Sequence, residues 1–322
     1  MKDTVLIISR EDDLHAKVVA NEIQTVLGAR PIILDSAQYP NQWFLSLAAG
    51  NDVPSDFQIH LGSETVTEAQ IAGVWWRRPR THRIPRLITD QPVRSFCFRE
   101  AQAAFEGWIY GLADAVINPL SAENAACRKP LQLKQAAAVG LNIPRTLITN
   151  SEADVRRFYL ENRERVVFKI LTSVNWQFAE TRHLREEDFA RLGLLVYAPV
   201  IFQEEIVDKT DIRVTVVDQQ VFAVSIHPRH AGAELDWRLD VGAEIRPHVL
   251  PAAVMDKILR LQQVLGLRYS AIDLALTANG EYVFFEANTG GQFLFAEIHG
   301  GQQIASALAR ALVSGRPTTS GH

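Results

Sequence analysis

The sequence predicts an α/β protein that begins as a Rossmann-like sheet and turns to α+β hairpins towards its C-terminus. Three observations carry this. Val5–Ser9, a helix from about Asp13 and Pro31–Leu34 make a βαβ start. Strand-like and helix-like periods then follow one another along most of the 322 residues. Finally, Arg268–Gln292 reads as two strands, Tyr269–Thr277 and Glu281–Ala287, joined by Ala278-Asn279-Gly280. Asn-Gly between apolar runs is the strongest short-range hairpin signal, because both residues accept positive φ.

Taken in order, the first helix carries Leu14, Val18, Ile23 and Val26–Leu27 on one face and ends at Gly28. No GxGxxG follows Ser9, which argues against a dinucleotide. Phe57–Leu61 and Ile71–Trp76 read as strands. The second runs into Trp75-Trp76-Arg77-Arg78-Pro79-Arg80, with His82, Arg83 and Arg86 beyond. Adjacent tryptophans on a strand point to opposite faces, so one belongs to the core. The arginines suit an acidic peptide or a phosphate, or else a solvated strand end. A helix over Val93–Leu112 places Phe96, Cys97, Ala104, Phe105 and Trp108 at helical spacing, all read as core.

Asn118-Pro119 breaks the pattern and marks a boundary. The expected division is 1–117, 118–199 and 200–314, with a tail at 315–322. Ser121 opens a helix that ends near Gly140, and Pro144–Thr149 and Val166–Leu171 are strands, the latter with Lys169 inside an apolar run. Arg185–Leu192 is a short helix with an acidic turn, and Val200–Val207 a strand. Asp211–Val217 pairs with Val221–Ile226. Pro228–Asp240 is a polar loop containing Asp236-Trp237-Arg238. Pro251 opens a helix to Leu265, and Gln303–Val313 is the last one.

Composition bounds the function. With 47% apolar and 22% charged residues the chain is an ordinary globular protein. A net charge of −4 argues against a sequence-independent nucleic-acid binder, which would need a basic surface. Cys97 and Cys127 have neither zinc spacing nor a disulfide framework, which fits a reducing cytoplasm. No apolar run approaches the ~20 residues of a membrane span. No P-loop, GxSxG or HExxH occurs, and His227-x-x-His230 has no third ligand near it in sequence.

The C-terminal hairpin holds the chemistry. If Asn279-Gly280 is a two-residue loop, Ala278 faces Glu281 and Asp273 lies opposite Glu286. Asn288 then shares that face, while Ile272, Leu274, Leu276, Val283 and Phe285 form the core side. Facing carboxylates ~5 Å apart repel by roughly 3 kcal/mol at an effective dielectric near 20. A shared proton, an intervening basic residue or a cation relieves this. Three such oxygens suit Mg²⁺, and the alternative is an exposed hairpin with solvated acids.

The order Lys129, Lys169, Gln203-Glu204-Glu205-Ile206, Asp211-x-Arg213 and Asp273…Glu286-x-Asn288 resembles the ATP-grasp fold over roughly residues 118–312. Val74-Trp75-Trp76-Arg77-Arg78-Pro79, Asp211–Val217 and Glu286…Gly291-Gln292-Phe293 resemble the ligases that macrocyclise graspetides, the microviridin-type ribosomal peptides. The fold implied is an ATP-grasp fold behind an N-terminal Rossmann-like pre-ATP-grasp domain.

The resemblance implies ATP and Mg²⁺ as cofactors and a precursor peptide, leader plus core, as partner, with a homodimer as the assembly. Asp273, Glu286 and Asn288 are then metal ligands, and Lys129 and Lys169 contact phosphates. Gln203, Glu204, Glu205 and Ile206 read adenine, and Asp211 binds ribose. Arg213, with Lys169, is catalytic and holds the transferred phosphate. Arg77, Arg78 and Arg238 face the substrate peptide, and Glu187 and Asp188 its leader. The expected reaction forms an ester or amide side-chain cross-link through an acyl phosphate. The alternatives are a ligase that adds free glutamate and a non-catalytic nucleotide- or peptide-binding scaffold. Two positions depart from the family pattern: Thr172–Phe178 lacks glycine where a phosphate loop is usual, and Thr289 stands where proline is common.

Overall fold

Four sheets build the computed structural model, which describes residues 2–172, 181–229, 240 and 242–315. The first is the expected βαβ unit. β1 (Thr4–Ile8), α1 (Leu14–Thr25) and β2 (Arg30–Leu34) are followed by β6 (Ile71–Trp76) and β7 (Val116–Ile117) in the parallel order β2-β1-β6-β7. Between β2 and β6 the chain inserts an antiparallel sheet of β3 (Phe44–Gly50), β4 (Val53–Leu61) and β5 (Glu64–Thr67). Its edge strand β3 gave no strand signal in the sequence, because nearly all its residues are exposed and no alternation marks it.

α2 (Gln91–Gly111) starts at Asp90, whose carboxylate caps Val93 N–H at 2.9 Å. It buries Ala101, Phe105, Trp108 and Ile109, whereas Phe96, read from its spacing as core, is 58% exposed, and Ala104 is exposed too. For Phe96 the apolar spacing runs past the part of the helix that is covered, so the pattern overstates burial in its first turns; Ala104 lies within the covered part but on the outer face, beside buried Phe105. Trp75 is buried and Trp76 half-buried against Phe105, the division that adjacent strand positions require.

α3 (Leu120–Ala126) and α4 (Lys129–Ala138) stand where one helix is expected, separated at Cys127-Arg128 just ahead of Pro130. The third sheet has the order β10-β9-β11-β8, from β8 (Thr146–Thr149), β9 (Val166–Lys169), β10 (Arg182–His183) and β11 (Val200–Glu204). α5 (Glu152–Glu161), capped by Ser151, and a 3₁₀ segment Glu186–Tyr197 cover it through Val155, Phe158, Leu192 and Leu195.

The fourth sheet, β14-β13-β12-β15-β16, is the largest. It is formed by β12 (Lys209–Val217), β13 (Gln220–His227), β14 (Glu244–Pro247), β15 (Tyr269–Thr277) and β16 (Tyr282–Asn288). α4 and α6 (Ala252–Val264) pack on one face of it through Leu133, Ala136, Ile258 and Leu261. α7 (Leu294–Gly300) and α8 (Ile304–Val313) return the chain to the first sheet, where Ile304 and Leu308 join Val5, Ile7, Val19 and Ile23 in one core. Among the described residues no helix is long and apolar enough to cross a membrane.

Candidate active site

A strand period of two sends alternate side chains of the fourth sheet to opposite faces. Ile212, Val214, Ile272, Leu274 and Phe284 go to the core under α4 and α6. Lys209, Asp211 and Arg213 of β12 therefore share the other face with Asp273, which pairs with Arg213 across the ladder.

Asp273 does face Glu286, but by a different route from the one the hairpin suggests. Thr277 N–H donates to Glu281 C=O at 2.9 Å, so the loop has three residues, 278–280, with Gly280 at φ +81. Leu274 consequently faces Phe284, and a bulge then restores the Asp273–Glu286 pairing by leaving Phe285 as the extra residue. The two offsets cancel from the carboxylates inward, through Ile272–Ala287 and Ala271–Asn288, while the pairs nearer the turn stay shifted by one. On β16 the core side chains are Phe284 and Ala287, and Val283 and Phe285 are not part of that cluster.

Displaced by the bulge, the Phe285 ring lies 5.9 Å from Lys169 Nζ and 6.0 Å from Lys209 Nζ. Neither Phe285 nor Lys209 stood out in the sequence. The signal available was Phe284-Phe285: a strand with one buried face can bury only one of two consecutive rings unless a bulge intervenes.

The repulsion between Asp273 and Glu286 is relieved by bases. Lys129, the first residue of α4, forms an ion pair with Glu286, and Arg213 Nε lies 3.1 Å from Asp273 Oδ1. Gln132, one turn beyond Lys129, holds α4 against β16 by accepting from Ala287 N–H (2.9 Å) and donating to Ala287 C=O (2.8 Å). Burial pushes the Glu286 carboxyl up, but Lys129, Lys169 and hydrogen bonds from Lys129 and Asn288 outweigh it and hold it at about 2. Asn288 Nδ2 donates to Asp273 Oδ2 and Glu286 Oε1, both at 3.1 Å, so the three side chains converge.

Two carboxylates and an amide, hard oxygen donors gathered at one point, fit Mg²⁺ once the Asn288 amide turns its oxygen inward. No group of three His, Cys, Asp or Glu side chains that could hold a metal occurs among the described residues; the third donor here is an amide.

Lys169 ends β9, and β11 alongside it carries Gln203 and Glu204, with Glu205 and Ile206 following. β11 stops at Glu204, and among the described residues Ile206 makes no backbone hydrogen bond. Gln203 is buried, donating to Thr146 Oγ1 at 3.0 Å. Glu204 accepts from Arg145 N–H at 2.8 Å, and Glu205 lies 3.8 Å from His183. Asp211 pairs with Lys209 at 2.5 Å.

The loop after Asn288 is held from the N-terminal sheet. Arg77, with its side chain fully buried, donates through Nη1 to the carbonyls of Gly290 and Gly291, the latter at 2.8 Å, and through Nε to Asp13 at 3.3 Å. Tyr269 Oη donates to the same Gly291 carbonyl at 2.8 Å. His15, kept below its ordinary pKa by burial, accepts from Phe293 N–H at 3.1 Å. A Cβ on Gly291 would lie 2.2 Å from that of Ala271, so this position admits no side chain.

The substrate-facing arginines expected from the sequence therefore separate. Arg77 is turned inward, buried, and donates to backbone carbonyls. Arg78 is exposed. Arg238 and the glycine-free 173–178 lie outside the described residues, as does His230. Glu187 is 71% exposed, while Asp188 accepts from Arg185 N–H at 2.9 Å and caps its own segment.

The family model of the MvdD pre-ATP grasp domain matches residues 4–124. No curated protein matches the chain. Macrocyclase MdnB from Microcystis aeruginosa MRC is 30% identical with a TM-score of 0.82, over 97% of this chain and 100% of that one. A Chryseobacterium gregarium RiPP-associated ATP-grasp ligase, solved with ADP and a leader and core peptide, is 26% identical with a TM-score of 0.87, over 98% of both chains. The ATP-grasp ligase PsnB, complexed with a phosphomimetic variant of its minimal precursor, Mg and ADP, is 27% identical with a TM-score of 0.78, over 98% of this chain and 99% of that one. An acidic oxygen cluster faced by two lysines and an arginine, on this fold and at this likeness, places the chain in the ATP-grasp ligases, among the macrocyclases of ribosomal peptides.

Proposed function

We propose that this enzyme uses ATP to activate a carboxyl side chain of a ribosomally made precursor peptide and closes it onto another side chain of the same peptide. The observation that carries this reading is the convergence of Asp273, Glu286 and Asn288 opposite Lys129, Lys169 and Arg213. Asp273, Glu286 and Asn288 would hold Mg²⁺, which supplies charge neutralisation for the ATP phosphates. Lys129 and Lys169 bind phosphate as compact charges. The backbone of Ile206, within the Gln203–Ile206 stretch, and the Phe285 ring receive the base, with Asp211 on the ribose. Arg213 holds the transferred phosphoryl group on the peptide carboxylate. The carboxylate oxygen attacks the γ-phosphorus, ADP leaves, and a Ser, Thr or Lys side chain then displaces phosphate to give an ester or an amide. With ATP, Mg²⁺ and the cognate precursor, the expected products are ADP, phosphate and a peptide lighter by one water per bond by mass spectrometry. AMP, or a peptide heavier by a glutamate, would assign another ligase class.

The precursor's leader is proposed to dock at the 3₁₀ segment through Glu187. Because Asp188 is committed to capping, the discriminating change is Glu187→Lys alone. It is expected to weaken leader affinity several-fold, within the ~0.2–1 kcal/mol range of exposed pairs, in titration calorimetry. Unchanged affinity removes Glu187 from the contact.

A cytoplasmic location is supported by the free Cys97 and Cys127 thiols. A homodimer is supported by β3, an edge strand with Phe44 and Leu47 exposed at 52% and 57%. Leu47→Lys is then expected to give monomers by light scattering, and a wild-type monomer at micromolar concentration rejects the dimer. The division into an N-terminal domain to residue 117 and two ATP-grasp domains is retained, with the second boundary moved past Glu204 because β11 pairs with β8 and β9.

A further inference from the structure

Outside the proposed active site, the N-terminal domain carries a cavity of about 1150 Å³ between the chain that follows β6 and the first turns of α2. Its wall is built. Arg94 donates to the carbonyls of Pro85 (2.8 Å) and Ile88 (2.9 Å) and shapes the loop. Buried His82 donates through Nδ1 to Ser36 C=O at 2.8 Å, and its ring packs 6.2 Å from that of Phe98. Arg83, Arg86 and Arg99 complete the lining; all three are exposed and form no ion pair among the described residues. No carboxylate lines the cavity, although the chain as a whole carries a net charge of −4.

We propose that this cavity is an accessory peptide subsite that binds carboxylate side chains of the precursor away from the reacting residue, through Arg83, Arg86 and Arg99. The identity of the peptide rests on the ligase reading above; the chemistry of the site does not. Three guanidinium forks in one concavity match successive carboxylates, each able to take a bidentate pair. The volume exceeds the ~300–1,000 Å³ of small-molecule clefts, which favours an extended ligand over a single ion. The loop leaves the carboxyl end of a parallel strand, where ligands of open α/β sheets bind. Position also suits one peptide reaching both sites. Arg77 touches the loop next to Asn288, and Thr81 at the cavity wall lies four residue steps, at most ~14 Å of chain, beyond it.

The test uses the full chain without nucleotide and a fluorescein-labelled peptide of alternating Glu and Ala, with its Gln counterpart as control, in anisotropy titrations. Wild type is expected to bind the Glu peptide with an affinity that falls with salt, and the Gln peptide roughly tenfold or more weakly. Arg83→Gln/Arg86→Gln/Arg99→Gln is expected to lose roughly tenfold or more for the Glu peptide with an unchanged melting curve. Should the triple variant melt early, Arg86→Glu alone is expected to weaken the Glu peptide and leave the Gln peptide unaffected. Wild-type affinity in the charge-removed variants overturns the proposal. So does displacement of the peptide by inorganic phosphate where chloride of equal ionic strength leaves it bound, since that outcome makes the cavity a phosphate site. A protein that binds the Glu peptide here yet shows no precursor-dependent ATP turnover would refute the ligase reading and leave this subsite standing.

Discussion

Glu286→Gln and Asp273→Asn are each expected to lower Mg²⁺-dependent ADP release by ~10²-fold or more, the scale of losing one preorganised charge contact to a transferring group. Both substitutions keep the shape of the side chain, so far-UV circular dichroism should not change. The loss should be deepest in Glu286→Gln. That carboxylate sits between Lys129 and Lys169, and its removal leaves two ammonium groups facing each other where phosphate and metal must be balanced. Its own ionisation is not limiting at neutral pH, because the lysines hold its pKa at about 2. Removal of Mg²⁺ with a chelator should reproduce the variants' rates in the wild type. Turnover at the wild-type rate in both variants would exclude this face as the site of ATP chemistry.

Arg77→Ala is expected to lower the stability of the whole chain by about 3–5 kcal/mol in urea denaturation, since it leaves Asp13 and two carbonyls without their buried partner. Burial depresses the guanidinium's pKa, so its place rests on those partners and on the Trp75 ring 5.4 Å away. Asp13, pulled down chiefly by His15, Ser9 and Arg77 against the upward push of burial, is the charge left behind. Arg77→Lys should rescue little, because a point charge cannot span Gly290, Gly291 and Asp13 at once. Arg78→Ala, at an exposed position, should stay within ~0.5 kcal/mol of wild type. An Arg77→Ala protein as stable as wild type, deficient only with peptide present, would return Arg77 to the substrate-facing role its sequence neighbourhood suggests.

What the sequence determined by itself was period and order. Short apolar runs placed β1, β2 and β6, and a strand period of two put Asp211 with Arg213 on one face of β12 and Glu286 with Asn288 on one face of β16. Cap residues such as Ser151 worked for the same local reason. The linear order of Lys129, Lys169, Asp211-x-Arg213 and Glu286-x-Asn288 was enough for the family.

Tertiary structure alone decided the exceptions to those periods. The bulge that turns Phe285 out of the core depends on how β16 must meet β15 on one side and Asn142 on the other. The exposure of Phe96 depends on where the sheet stops beneath α2, which no helical period records. Arg77 and Arg78 are neighbours of one type in sequence. A fold that brings Gly290 and Gly291 to the end of β6 makes one a buried tie between two parts of the chain and leaves the other in solvent.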